Sequence, residues 1–198
     1  MSAIAIIPAR GGSTRIPMKN ILEFHGMPII SYSIKTAQAS GLFEHIWVST
    51  DNQQIADVAF GHGACVLWRP TKLAHDVVGT QEVASHVISM FNSSITHACC
   101  IYPTAPLMTK DDLIAGMALL RNNEAQHDYV MAVGAEPLRD AGQWYMGTAQ
   151  AFRHNRPLIS ARTVMFPIPE ERVCDINFEK DFHEAHYKYT VMHRGIVK

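Results

Sequence analysis

Short runs of β-type residues alternate with helix-type segments from the start of this chain. The runs are AIAIIP, HIWVST, ACVLW, HACCIY and DYVMAV, with stretches of helical spacing between them. That alternation is the βαβ rhythm of an α/β protein with a mostly parallel sheet covered on both faces. In the first helical stretch Ile29, Ile30, Ile34 and Ala37 recur near helical spacing, and Gly41 is placed to stop it. Asp51 is expected to cap the next helix, NQQIADVAFGHG, in which Ile55, Val58 and Ala59 share a face. Thr80 is expected to start a third helix, lined by Val83, Val87, Ile88 and Phe91. Thr109 precedes a fourth, whose first turn carries Asp111 and Asp112, as the helix dipole favours. Parallel-type units are then complete by about Met131. The last third is less regular: GQWYMG reads as a strand, GTAQAFRHN as a short helix, TVMFPIP as extended and FEKDFHEAHYKY as a terminal helix. Neither internal repeats nor low-complexity linkers interrupt the pattern.

A chain of 198 residues suits one domain, residues 1–198, burying roughly 70% of its unfolded surface. Its 17 Lys+Arg against 18 Asp+Glu give a net charge of -1, so a nucleic-acid partner is not expected and any basic function must be local. The four cysteines, Cys65, Cys99, Cys100 and Cys174, form neither a CxxC pair nor a zinc spacing. Cys99 and Cys100 would point to opposite faces of a strand. The N-terminal apolar run is short, lacks a basic region before it and breaks at a Gly-rich turn, which reads as a buried strand. No stretch approaches the roughly 20 apolar residues of a membrane span. A reduced, soluble, cytoplasmic protein is expected.

The segment ARGGSTRIPMKN, Ala9 to Asn20, follows directly on the first strand. Gly11 and Gly12 permit positive φ and close approach of backbone N–H groups to a ligand. Arg10, Arg15 and Lys19 can surround a triphosphate. The segment is neither a Walker A loop nor a GxGxxG dinucleotide turn. Solvated surface charge alone would explain the cations, but ligands of open α/β sheets sit beyond the carboxyl ends of strands, and this loop occupies one.

IAIIPARGGSTRIPMKNI resembles the signature of the acylneuraminate (CMP-nonulosonic acid) cytidylyltransferase family over a long ungapped stretch. The likeness continues through PIISYSIKTAQASGLFEHIWVSTDNQQIADVA, WRPTKLAHDVVGT and CCIYPTAPLMTKDDL, with Ala105 where sialate enzymes usually carry Ser. YPTAPL and RDAGQWYMG are closer to the pseudaminic acid branch. Sugar-1-phosphate nucleotidyltransferases carry a different loop after the first strand.

The resemblance implies a three-layer α/β/α, Rossmann-like nucleotide-diphospho-sugar transferase fold, and transfer of CMP from CTP to a nonulosonic acid with release of pyrophosphate. Pseudaminic acid is favoured; sialate or legionaminate as acceptor, or an inactive CTP-binding protein, are the alternatives. By position, Arg10, Ser13 and Lys19 would hold the phosphates, with Gly11 and Gly12 as backbone donors. Asn20 and Arg69 would contact cytidine, and Ala9 and Thr104 would line the base and ribose pocket. Arg10, Lys19 and Asp175 would carry the catalysis; the nucleophile is the sugar's own hydroxyl. Asp175 and Asn177 stand where the family commonly has Asp-x-Asp, and could hold Mg2+ as the cofactor. Either residue would equally suit capping the terminal helix. A homodimer is implied as well.

The eleven histidines do not form HExxH: HEAH spans 183 to 186, and His62, His75, His86 and His97 lack ligand spacing. HYKYTVMHR is too short for a nucleic-acid stacking surface and reads as a helix end. Between DYVMAVGAEP and LRDAGQWYMG the chain is shorter than the family pattern, which carries an arm there. A deleted or missing segment is therefore expected near residues 136–139, leaving Gln143 as the expected sugar-binding residue.

Overall fold

The computed structural model describes residues 2–75, 77–91, 94–135 and 138–194. Its main sheet has seven strands. β1 is Ser2–Pro8, and a two-stranded hairpin of β2 (Glu23–Phe24) and β3 (Met27–Pro28) stands apart from the sheet. The sheet continues with β4 (His45–Thr50), β5 (Cys65–Trp68), β6 (Ile95–Ile101), β7 (Tyr129–Gly134), β8 (Arg139–Thr148) and β9 (Thr163–Ile168). The helices are α1 (Ile30–Ser40), α2 (Gln53–Gly61), α3 (Thr80–Ser89), α4 (Lys110–Asn122), α5 (Ala149–Arg153) and α6 (Glu179–His193).

The order across the sheet is β5-β4-β1-β6-β8-β7-β9. Only β8 runs antiparallel to its sheet neighbours, so the sheet is mostly parallel. From β1 the chain moves outward through β4 to β5, then returns to lay β6 on the other side of β1. The reversal opens a crevice beyond the carboxyl ends of β1 and β6, where such sheets receive ligands.

Alternation along the strands builds both faces. In β1, Ala3, Ala5 and Ile7 pack with α1, α2 and α4, while Ile4 and Ile6 pack with α3 and α5. Cys99 and Cys100 divide between the same faces, as their adjacency on a strand requires. A third apolar cluster joins Phe24 and Ile29 to Ile16, Leu107, Ile176 and Ala185, seating α6 beside the β2–β3 hairpin. Among the described residues no helix is long and apolar enough to cross a membrane.

Two local expectations need correction, and one element left no expectation at all. The cap of α2 is Asn52, whose side chain accepts the Ile55 N–H at 3.1 Å; Asp51 is drawn instead to Gly11. The β2–β3 hairpin has strands of two residues, too short to leave a periodic trace. β8 begins at Arg139, three residues before the expected GQWYMG strand, because it pairs with β7 up to Gly134↔Arg139. The expected arm falls on this connection. Residues 136 and 137 lie outside the described residues, while Leu138 is a turn residue and Arg139 is already in the strand.

β8 carries a large bulge. Met131 pairs with Tyr145 but Val133 pairs with Asp140, so residues 141–144 stand opposite Ala132 alone. The bulge lies at the cavity end of the strand.

Candidate active site

The loop after β1 is shaped by contacts other than those its glycines suggest. Neither Gly11 nor Gly12 has positive φ; Met18 does, at 52°. A side chain at Gly11 would come within 2.8 Å of the Asn52 Cβ, so glycine is needed there for close approach. The Gly11 N–H donates to Asp51 Oδ1 at 2.7 Å, and the Ser13 N–H to the Gly11 carbonyl at 3.0 Å. In this arrangement the Gly11 N–H belongs to the loop's own scaffold. Gly12 meets open space. Met18, in the left-handed conformation, turns the chain into the single helical turn Lys19–Ile21.

That turn delivers two of the expected residues. Asn20 is buried, and its amide donates to the Arg10 carbonyl at 2.8 Å, tying the two ends of the loop together. Lys19 reaches across the crevice and donates its Nζ to the Ile176 carbonyl. Burial holds the Lys19 ammonium below its ordinary range; Arg15 and Arg10 add to the fall, and Asp175 opposes it. Arg69, just past β5, donates to the Ser49 carbonyl at 2.7 Å. It is 8% exposed, and burial lowers its pKa as well. Both cations are thus held by neutral backbone carbonyls. Asp175 and Asp51 act on them only through space, and both cations line the cavity.

The opposite wall is made by the chain's last third. Asp140 accepts the Gly142 N–H and the Tyr102 hydroxyl, each at 2.8 Å. Burial, with Asp175 nearby, pushes the Asp140 carboxyl above its ordinary value. Gly142 has φ +69°, and a Cβ there would come within 2.5 Å of the Asp175 Cα. The bulge of β8 is therefore pressed against the backbone that carries Asp175, and the Cys174 N–H bonds the Ala141 carbonyl beside it at 3.3 Å. Asn177 donates its amide to Asp175 Oδ2 at 2.6 Å. The task of capping α6 falls on Asp181, whose Oδ2 accepts the N–H groups of Asn177 and Phe178 at 2.9 and 2.8 Å. Neither Asp175 nor Asn177 is needed as a cap.

These walls enclose a cavity of ≈ 290 Å³ at the crevice between β1 and β6. Arg10, Ser13, Lys19, Asn20, Arg69, Thr104, Asp175 and Asn177 all line it, drawn from separate segments of the chain. An adjoining cavity of ≈ 240 Å³ shares Arg10, Ser13, Lys19 and Asn177 and extends along the loop past Arg15. Ala9 is wholly buried at the end of β1, its N–H on the Ser49 carbonyl at 2.9 Å. Gln143 is 1% exposed and is not among the lining residues; its amide donates to the Arg172 carbonyl at 2.7 Å, behind the wall. Tyr102, Thr80 and Asp140 line the cavity without having been singled out as site residues. An Asp two residues before a bulge glycine, in the run RDAGQ, is the trace that Asp140 leaves in the sequence.

The donors suit a divalent cation bound together with phosphate. Asp175 keeps Oδ1 clear of its contact with Asn177, and among the described residues no three His, Cys, Asp or Glu side chains gather into a cage. Magnesium is commonly held in this sparse way, by one or two carboxylates with substrate oxygens completing the shell.

Comparison with known proteins matches residues 4–191 to the cytidylyltransferase family model. A pseudaminic acid cytidylyltransferase of Campylobacter jejuni subsp. jejuni serotype O:2 is 31% identical, covering 98% of this chain and 99% of the relative. A CMP-N,N'-diacetyllegionaminic acid synthase of Legionella pneumophila is 46% identical over 91 residues, covering 46% of this chain and 38% of the relative. In fold, the chain is similar to a CMP:2-keto-3-deoxy-manno-octonic acid synthetase solved with CTP, with TM-score 0.75 and 14% identity, covering 98% of this chain and all of that one.

Proposed function

The chain belongs to the cytidylyltransferase family, and from that premise we propose that it moves CMP from CTP to the anomeric oxygen of a nonulosonic acid, pseudaminic acid above all, releasing pyrophosphate. One observation carries this reading: Arg10, Ser13, Lys19, Arg69, Thr104 and Asp175 come from distant parts of the chain and line one cavity. Cytidine would lie toward Arg69 and Thr104, with the triphosphate running past Ser13 and Lys19 into the adjoining cavity. The anomeric hydroxyl gives up its proton to solvent as its oxygen attacks the α-phosphorus, the bond from that phosphorus to the oxygen bridging to the β-phosphate breaks, and pyrophosphate leaves. Arg10 and Lys19 offset the charge that develops, the kind of fixed stabilisation typically worth about 10²–10³ in rate per donor. No protein nucleophile is required.

We further propose Mg2+ as cofactor, held by Asp175 with Asn177 orienting it. When bound there it would supply Lewis-acid stabilisation of phosphate charge. Alignment with the Campylobacter relative runs over 230 positions, against 198 residues here, so part of that relative has no counterpart in this chain. We assign the difference to the short β7–β8 connection, within a single domain. A cytoplasmic homodimer is proposed on the resemblance alone, and light scattering would test the pairing.

The test is pyrophosphate release from CTP and Mg2+ with pseudaminic, legionaminic or N-acetylneuraminic acid, against no acceptor. Release with pseudaminic acid alone supports the reaction and the branch. CTP binding without release for any acceptor would leave a nucleotide-binding protein, a reading that the amide at Asn177 favours.

A further inference from the structure

A carboxylate on the wall of a triphosphate cavity is a liability for phosphate binding, yet Asp140 is built in firmly. Its two oxygens are held by the Gly142 N–H and the Tyr102 hydroxyl. Among the described residues no ion pair compensates it. An ionised carboxylate offers about four lone-pair sites and can only accept. Two of those sites are occupied by its holders, and the side chain lines the cavity. A substrate group that meets the remaining sites directly must be a donor, since only a donor or a cation can meet them, and it cannot be phosphate.

The holder of the carboxylate is equally telling. Tyr102 follows β6, its N–H on the Gln143 carbonyl at 2.8 Å, and its ring lines the same cavity. It belongs to YPTAPL and Asp140 to RDAGQWYMG. The two segments that set this chain's resemblance to one branch of its family apart are joined at the cavity wall by the backbone bond from Tyr102 to Gln143 and by the 2.8 Å side-chain hydrogen bond from Tyr102 to Asp140.

Resting on the cytidylyl-transfer reading, we infer that Asp140 is the specificity contact for the acceptor sugar acid: it accepts a hydrogen bond from an N–H or O–H group of that acceptor, and Tyr102 fixes its orientation. The same charge repels the acceptor's own carboxylate, which turns toward the cations of the opposite wall. Attraction of a donor at one end and repulsion of an acid at the other orient the sugar together. An acceptor with an acylamino group at this position supplies N–H; one with a hydroxyl supplies O–H.

The experiment is steady-state kinetics of wild type, Asp140→Asn and Tyr102→Phe, with pseudaminic acid and N-acetylneuraminic acid as separate acceptors and CTP affinity measured by calorimetry. Asp140→Asn keeps an oxygen for the Gly142 N–H, so the bulge should survive, and unchanged CTP affinity reports that it does. For the acceptor that Asp140 receives, kcat/KM should fall about 10- to 100-fold, mostly through KM, as expected for losing a charge-assisted hydrogen bond. Tyr102→Phe should move the same parameter in the same direction by about 3- to 10-fold. An unchanged acceptor KM in Asp140→Asn overturns the inference while leaving cytidylyl transfer standing. A parallel loss of CTP affinity also overturns it, since the residue would then be structural. If wild type turns over neither of these acids nor legionaminic acid, the transfer reading falls and takes this inference with it.

Discussion

Charge is handled in opposite ways at the amino end of the sheet and around the cavity. Beyond the amino ends of β7 and β9, charges are matched to each other: Asp128, 4% exposed, takes Arg156 at 2.6 Å and Arg162 at 2.9 Å. Nearby, Glu124 is hydrogen-bonded to the His97 ring at 2.9 Å. Around the cavity at the carboxyl end, Lys19 and Arg69 are tied to backbone carbonyls, and Asp140 to an N–H and a hydroxyl; the ion pairs of that end, Arg172 with Asp112 and Arg139 with Glu170, are made by residues that do not line the cavity. A charge matched to a counter-ion serves the fold. A charge held by dipoles keeps its field and waits for a ligand.

Lys19→Ala breaks the comparison most severely. It removes a cation whose bond to Ile176 also spans the cavity. Turnover of CTP should fall by about 10²–10³, while the melting temperature changes little. A kcat equal to wild type would remove Lys19 from the chemistry.

Gly142→Ala tests how the acidic wall is placed. The new Cβ would need space already taken by the Asp175 backbone, at a φ that disfavours any side chain. A cost of about 2–4 kcal/mol in unfolding free energy is expected, with weaker Mg2+ affinity measured by calorimetry in the presence of CTP. Full stability with unchanged Mg2+ affinity would show that the bulge does not set Asp175.

Much of the cationic wall is legible in the sequence, and little of the acidic wall is. Arg10, Lys19 and Arg69 lie on loops directly after regular parallel strands, so the βαβ rhythm alone puts the N-terminal loop at the ligand end of the sheet. Asp140 and Tyr102 meet only because residues 141–144 bulge from β8. A bulge shifts register without changing hydrophobic period, so pattern reading passes over it. Gln143 shows the same limit: being polar, next to a motif and near a presumed deletion marked it for the sugar, but the bulge turns it inward to hold Arg172. The Asn52 cap is missed for a related reason. Two adjacent side chains can each cap α2, and only the neighbouring loop decides that Asp51 serves Gly11.

At the far end of the sheet the effects should be on stability alone. Burial raises the Asp128 carboxyl, but hydrogen bonds from Arg162 and Arg156 outweigh it and hold the pKa below the ordinary value. Asp128→Asn should therefore destabilise the fold at neutral pH by about 1–2 kcal/mol, discounted because both arginines are partly exposed, which is about 2–8 °C in Tm. CTP turnover should be unchanged. An altered KM for CTP would mean that the two ends of the sheet are coupled.

His97 gives the smallest effect and the finest distinction. It is 1% exposed, with Nδ1 at 2.9 Å from Thr96 Oγ1 and Nε2 at 2.9 Å from Glu124. Burial lowers its pKa, and Glu124 opposes the fall without reversing it. A base whose folded pKa lies below its unfolded one binds fewer protons when folded, so stability is highest above the unfolded value of about 6.5 and declines as pH falls through it toward the lower folded pKa. Burial lowers His86 and His186 as well, so they add to the same slope. Between pH 7.5 and 5.5 the Tm of wild type should fall, and His97→Gln should flatten part of that fall without abolishing it. A His97→Gln variant as steep as wild type would mean that Glu124 keeps the imidazole charged in the folded state, making the pair a buried ion pair of the Asp128 kind.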